Sequence, residues 1–299
     1  MRHALKRALI ALLALLMLVT LVACNTGSNS DISGGEGGSN GEGGSNGGGS
    51  SGKVTITEQQ CFEYDGITVT AKEYVSDSIW GDGIKITVEN NSSKTYTVST
   101  EEVIVNNYMV DSLFVCEVAA GKKANDTLYL SSSDLEAAGI SNIGQIEIYF
   151  YVYDSTTYDT VYTANCVTIK TSQYSQMDTT SNDAGKVLYN AGGIKIVGKY
   201  VDENTFWGSA ILLYIENKTN QNITVSCEDM SINGYMVSGL LSSTVYKNKY
   251  AIDEISVLET DLTDNGITKI NEVELKFHIF NSSTYDTIVD TDPITFQVN

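Results

Sequence analysis

GIKITVEN at residues 83–90 has a counterpart, AILLYIEN, at residues 210–217, 127 positions farther along the chain. In the first stretch Ile84, Ile86 and Val88 alternate with Lys85, Thr87 and Glu89, and in the second Ile211, Leu213 and Ile215 take the apolar places. A period of two puts the apolar side chains on one side of an extended backbone, so each stretch predicts a strand with one buried face. IEIYFYV at 146–152 reads the same way, with Ile146, Ile148, Phe150 and Val152 matched by Val273, Leu275, Phe277 and Ile279.

The correspondence is general. Laid at that fixed offset, residues 66–171 and 193–298 share 34 identities in 106 pairs with no insertion or deletion. Equal loop lengths let both copies keep every turn and strand register, so the chain contains one domain twice. The most evident pair is VNNYMVDSLF (105–114) and INGYMVSGLL (232–241), where Asn-Asn and Asn-Gly ahead of the tyrosine predict a hairpin turn entering a strand. Turn geometry and packing account for that motif, and for TYDT at 157–160 and 284–287, without a ligand. The helical signal is SSDLEAAG (132–139), with Ser133 or Asp134 as cap and Gly139 as stop, and TDLTDNG (260–266) occupies the same place. About seven short strands per copy and one helical turn argue for an antiparallel β-sandwich.

Residues 1–24 read MRHALKRALIALLALLMLVTLVAC, a basic start and an apolar run from Ala8 to Ala23 that has the form of a secretory signal. Its end, Leu21-Val22-Ala23-Cys24, resembles the lipobox of bacterial lipoproteins. That resemblance implies cleavage before Cys24 and a diacylglyceryl group on its sulfur, hence a palmitate-type anchor that holds the chain on a membrane without spanning it. Residues 25–53, rich in Gly, Ser and Asn, have no side chains to build a core and read as a disordered tether. A flexible chain of that length holds its load about 30 Å from the lipid on average.

The pattern VENNSSKTYTV…VNNYMV…SSSDLEAAGI…IEIYFYVYDSTTYDT and its copy IENKTNQNITV…INGYMV…TDLTDNGI…VELKFHIFNSSTYDT resemble the immunoglobulin-like (telokin-like) domains of uncharacterised Gram-positive lipoproteins. The resemblance covers nearly all of both repeats. It implies an all-β fold of two tandem antiparallel Ig-like β-sandwiches, and it implies no activity. The expected organisation is a lipoprotein signal peptide at 1–23, the lipidated cysteine and tether at 24–53, repeat one at 54–170, a polar linker at 171–186 and repeat two at 187–299.

Composition narrows the function. The chain carries a formal charge of −19, and loss of residues 1–23 removes Arg2, Lys6 and Arg7 but no acid, which takes it to −22. Nucleic-acid binding, which requires a basic footprint, is excluded on that ground. With Cys24 given to lipid, Cys61, Cys116, Cys166 and Cys227 remain, and no two have the spacing of a zinc site. Cys61 and Cys166, near the first and last strands of repeat one, are the candidate disulfide in an oxidising compartment. The one histidine beyond the leader, His278, alternates with Phe277 and Ile279 and is expected on the solvated face of its strand. No carboxylate is expected in a water-poor setting, the EF-hand pattern is missing at IVDTDP (288–293), and neither a metal nor a cofactor is expected.

Aromatic residues are the remaining candidates for contact with a partner or glycan. Tyr149, Tyr151 and Tyr153 alternate with core positions and line the outer side of one strand; they serve either as a contact surface or as cross-strand packing and cover for the other repeat. Lys276, His278 and Phe280 replace them in repeat two, so such a site belongs to repeat one. Trp80 and Trp207, in SIWGDG and TFWGSA, either stack on a sugar ring or close the end of a core, and the shared Gly81 and Gly208 favour the core. The reading that results is an extracytoplasmic, membrane-anchored, non-catalytic module that contacts an envelope protein or polysaccharide. The rivals are a carbohydrate-binding accessory protein or hydrolase, and a structural spacer. Replacement Cys24→Ser is expected to abolish incorporation of labelled palmitate and to leave the chain in the aqueous phase of a detergent partition; continued labelling would exclude the anchor.

Overall fold

The computed structural model describes residues 53–205 and 208–298. The expected leader, Cys24, the tether up to Gly52 and Trp207 lie outside the described residues. Repeat one is built from β1 (Gln59–Tyr64), β2 (Ile67–Asp77), β3 (Gly81–Asn90), β4 (Tyr96–Val105), β5 (Tyr108–Val110), β6 (Ser112–Leu113), β7 (Val115–Val118), β8 (Lys122–Leu130), α1 (Ser132–Ala138), β9 (Gln145–Asp154), β10 (Thr160–Thr163) and β11 (Val167–Lys170). After a 3-10 turn at Tyr174–Gln176 come β12 (Lys186–Ala191), β13 (Ile194–Thr205), β14 (Gly208–Asn217), β15 (Ile223–Ile232), β16 (Tyr235–Met236), β17 (Gly239–Leu240), β18 (Ser242–Val245), β19 (Lys249–Leu258), α2 (Glu259–Asp264), β20 (Glu272–Asn281), β21 (Thr287–Asp290) and β22 (Ile294–Gln297). Every element of the second set begins 127 residues after its counterpart. That includes β1 and β12, which share no residue yet bulge at the same place, between Gln60 and Phe62 and between Val187 and Tyr189.

Each repeat is an Ig-like sandwich. In repeat one the sheet β1-β2-β3-β8-β6 faces a sheet in which β10, β9, β4 and β5 are consecutive, with β11 on β9 and β7 on β4. Repeat two repeats this with β12-β13-β14-β19-β17 facing β16-β15-β20-β21, plus β18 and β22. The strands outnumber the seven expected because short pieces such as β6 and β7 pair with different sheets on either side of a bend. The alternating residues meet between the sheets: Ile84, Ile86, Val88, Ile148, Phe150 and Val152 have no exposed surface. Side chains of this kind each contribute about 1.5–3 kcal/mol when fully buried, so the period-two pattern is also the main source of stability.

The recurring Asn-containing turns have a double role. Asn106 and Asn107 take φ of 48° and 73°, and Asn233 and Gly234 take 51° and 83°, the left-handed pair that a two-residue hairpin turn requires. The Asn106 side chain accepts from Gly144 N and Gln145 N and donates to the Asn142 carbonyl; Asn233 does the same with Asn271, Glu272 and Lys269. The identical first residue is therefore held by its amide as well as by its φ. Helix α1 is capped by Ser131, whose Oγ accepts from Asp134 N at 3.3 Å, rather than by Ser133 or Asp134; Gly139, at φ 75°, ends it as expected. Asp134 is occupied elsewhere, accepting from Asp111 N at 2.8 Å.

The described residues from Lys53 onward form one compact unit, and the two sandwiches within it are joined. Strand β5 pairs in parallel with β19 at Tyr108 and Tyr250, and Tyr250 N donates to the Asn107 carbonyl at 2.9 Å. Around that bond Lys249 Nζ meets Glu147 Oε1 at 2.5 Å with side chains only 14% and 11% exposed, and it also donates to Asn107 Oδ1. The Tyr108, Tyr250 and Tyr214 rings follow one another at 5.2 and 5.8 Å, and Val197 and Tyr214 of repeat two belong to the apolar core of repeat one. The connection is bound along its length: Thr171 Oγ1 donates to the Ile143 carbonyl, Lys170 Nζ lies 3.9 Å from the Tyr174 ring centroid, and Asn182 N donates to Tyr108 Oη.

Cys61, Cys116, Cys166 and Cys227 are free thiols, so the expected Cys61–Cys166 bridge is not formed. The two occupy different surroundings. Cys61 sits in the β1 bulge against the core, whereas Cys166 is exposed and its sulfur approaches Glu147 Oε2 at 3.9 Å. Burial pushes the Cys61 thiol up to about 11 and those of Cys116 and Cys227 up to about 12. At pH 8 a thiol-specific disulfide reagent is expected to modify Cys166 at once and the other three described cysteines only after denaturation; rapid reaction at Cys61 would contradict this. Replacement Glu147→Ala strands the Lys249 ammonium in a water-poor junction, and an expected loss of about 2–3 kcal/mol in urea unfolding follows from removing one partner of a largely buried pair.

Candidate functional site: ring ladders and an open strand edge

The outer side of β9 carries Tyr149, Tyr151 and Tyr153 as the alternation requires, but the three do not act as one row. Tyr149 is covered by Tyr246 of repeat two, edge to face at 4.8 Å, and burial raises both phenols well above their ordinary pKa. Tyr151 and Tyr153 stack at 5.9 Å, and Tyr153 continues onto Tyr158 at 6.3 Å, each pair tilted by 26°. Tyr158 is the Tyr of TYDT, 77% exposed and held at φ 62°. A bulky residue rarely adopts that backbone conformation; here the Asp154 carboxylate accepts from Thr156 N and Thr157 N and shapes the turn.

Repeat two has the same ladder made from different residues. His278 stacks on Phe280 at 5.1 Å and Phe280 on Tyr285 at 6.1 Å, and Tyr285 is 75% exposed at φ 64°. The expectation that an aromatic surface belongs to repeat one alone is thus corrected. A histidine and a phenylalanine preserve planar rings where tyrosines stand in the first copy, and only the terminal tyrosine is identical.

Trp80 does not close a core. It is 51% exposed, in a turn where Asp77 Oδ1 accepts from Ile79 N and Trp80 N, and its indole rests on Tyr129 at 6.0 Å. Gly81 is needed there because its φ is 81° and a β-carbon would lie 2.4 Å from Ser132 Oγ.

The second surface was missed by sequence reasoning, since its residues look like hairpin and packing positions. Tyr108 is 4% exposed in the junction, and Met109 packs on the core of repeat two. Their identical counterparts Tyr235 and Met236 are 52% and 66% exposed, with Leu240 exposed beside them. Strand β16 pairs with β15 on one side and lies at the end of its sheet. The signal available in the sequence was the motif's identity in both copies, which alone does not tell a covered edge from an open one.

Acid–base geometry is sparse. His278 Nδ1 lies 2.5 Å from Asp290 Oδ1, and among the described residues no hydroxyl or thiol is hydrogen-bonded to the other ring nitrogen. The expectation that no carboxylate is desolvated is corrected at two positions: burial raises the pKa of Asp126 and of Asp134. Each accepts a backbone N–H, Asp126 from its neighbour Thr127 within β8 and Asp134 from Asp111 just after β5. No group of three or more His, Cys, Asp or Glu suited to a metal ion occurs among the described residues.

No protein-family model matches this chain, and no curated protein matches it. Among solved structures it is similar to the YadV chaperone, at 12% identity over 72% of this chain and 92% of that one, with a TM-score of 0.23. It is similar also to the structure of SafA pilin with the SafB chaperone from Salmonella enterica (10% identity, 72% and 89% covered, TM-score 0.21). A third is the CsuC–CsuE chaperone–tip subunit complex from Acinetobacter baumannii (9% identity, 75% and 97% covered, TM-score 0.22). Superpositions this loose carry no argument about what this chain binds; the all-β Ig-like fold stands on its own strands and sheets.

Proposed function

We propose that this chain is a non-catalytic interaction module displayed outside the cell on a lipid anchor at Cys24, and that a protein partner docks on the open edge of repeat two. One observation carries the reading: the surface with which repeat one holds a whole sandwich, Tyr108 and Met109 beside Glu147, recurs in repeat two as Tyr235, Met236 and Glu274, exposed, with Gly234 in the place of Asn107. The partner it suits presents what β19 presents to β5, a strand edge with a lysine followed by an aromatic or apolar residue. A second copy of this chain is a poor match. Where repeat two offers Val197, Tyr214, Tyr250 and Ile252 to the junction, repeat one has Thr70, Thr87, Lys123 and Asn125 at the equivalent places. Burying such polar groups without partners costs free energy, so an end-to-end contact between copies lacks the apolar area of the internal one.

A second reading, attachment to an envelope polysaccharide, is favoured by the paired ladders, because stacked rings that end on an exposed tyrosine are suited to sugar faces. The two readings separate with a photo-crosslinking residue at Met236 of the full chain in envelope preparations. The expected result is one protein adduct, lost when Glu274→Lys is added and retained when Tyr158→Ser and Tyr285→Ser are added. Glycan binding that disappears in the tyrosine double variant, with no adduct at Met236, would overturn the protein reading; neither signal would leave only a spacer.

A further inference from the structure

In repeat one the residues ahead of β1 close one end of the sandwich. Val54 and Ile56 pack on its core, Ile56 forms an antiparallel bridge with Thr171, and Ser172 N donates to the Thr55 carbonyl at 2.8 Å. Tyr74 on β2 is buried in the same core. Repeat two departs from this at both points. Val201 replaces Tyr74, and residues 181–184, which stand where 54–57 stand in the first copy, are drawn into the junction. There Asp183 pairs with Lys195 at 2.6 Å, the Asn182 carbonyl accepts from Lys199 Nζ at 2.8 Å, and Asn182 N donates to Tyr108 Oη.

The diversion leaves a cleft of about 680 Å³ whose lining includes Val201, Ile211, Ile270 and Phe296, with Lys186 and Lys269 among the residues around it. Strand β22 runs along it and pairs only with β20 among the described strands, so its other edge, at Gln297, is open, while Val298 N donates to the Asn271 carbonyl on the β20 side at 2.7 Å. Neither Lys186 nor Lys269 has an ion-pair partner among the described residues.

We propose that this cleft binds an extended peptide segment, apolar at alternating positions and acidic at its ends, that adds as a strand along β22 where Ile56 lies against Thr171 in repeat one. Main-chain hydrogen bonds to an open edge give such a segment its register, and every second side chain enters the cleft. The acidic flanks follow from the two unpaired lysines, which together with Lys199 outweigh Asp202, the one acid of the lining. The strongly negative charge of the whole chain does not forbid them, because at physiological salt its field fades over about 8 Å and the nearest charges decide. This site is separate from the edge at Met236 and does not depend on what docks there.

The probe is a fluorescein-labelled peptide, Asp-Glu-Val-Thr-Ile-Thr-Glu-Asp, built on the closing segment of repeat one and titrated into the purified full chain by fluorescence anisotropy. Saturable binding is expected, with amide shifts at Gln297 and Val298. Val201→Tyr, which refills the cleft as Tyr74 does, is expected to abolish it. The exposed double change Lys186→Glu, Lys269→Glu is expected to weaken it about tenfold, in keeping with two surface charge pairs, and keeps the test valid should the tyrosine variant fail to fold. No binding at millimolar peptide, or unchanged affinity in the lysine double variant, would overturn the proposal.

Discussion

The bond from Tyr250 N to the Asn107 carbonyl turns two sandwiches into one body, because it carries a sheet of repeat one directly into a sheet of repeat two. A single amide hydrogen bond contributes only about 1 kcal/mol net, so its importance lies in the register it imposes. With β5 fixed on β19, Lys249 falls on Glu147, Tyr214 and Val197 enter the first core, and Tyr246 covers Tyr149. Strand β14 then has both faces buried, in contrast to β3, whose Lys85 stays in solvent. The polar connection between the repeats is bound for the same reason: Asn182 N donates to the hydroxyl of buried Tyr108, which the junction would otherwise leave without water or partner.

Duplication made the two copies alike, and the junction made them different. A head-to-tail contact uses two distinct surfaces, so a pair of repeats consumes one surface of each kind and leaves one of each at its ends. The leftover surface on repeat one is polar, as a terminal unit in a stacked array needs to be for solubility. The leftover surface on repeat two kept its tyrosine and methionine. The same asymmetry opened the cleft, since the stretch that closes repeat one is spent on the junction in repeat two. Both candidate binding surfaces thus follow from one packing event.

Inside each sandwich, buried amides do the work of holding the loops. Asn90 and Asn217 are fully buried and make equivalent bonds, donating to Lys94 and Val118 carbonyls in one copy and to Gln221 and Val245 carbonyls in the other. Each carboxamide oxygen also accepts from the loop, at Ser92 N or Thr219 N. A satisfied polar group of this kind fixes one loop conformation, because any other would strand it without partners. The ladders show the complementary freedom: on the outer face the requirement is for flat rings, and Tyr, His and Phe all meet it.

Much of the fold was legible because it is local. The two-residue alternation of Ile84, Ile86 and Val88 states which side of a strand is buried whatever packs on it, and the shared offset of 127 states that both copies obey one plan. Turn residues such as Asn106 and Gly139 were legible for the same reason, since a left-handed φ is a property of one residue. Less was legible of the site. The strands β1 and β12 share no residue, and the alternation that puts Tyr149 on the outer side of its strand does not say that Tyr246 covers it, just as the residues around Trp80 and Cys61 do not say what packs on them. What the sequence by itself determined is the sandwich and its repetition. Only the tertiary structure decided that Tyr108 is covered and Tyr235 is open, because the same Tyr-Met-Val stretch meets, in one copy and not in the other, residues far away in the chain that exclude water from it.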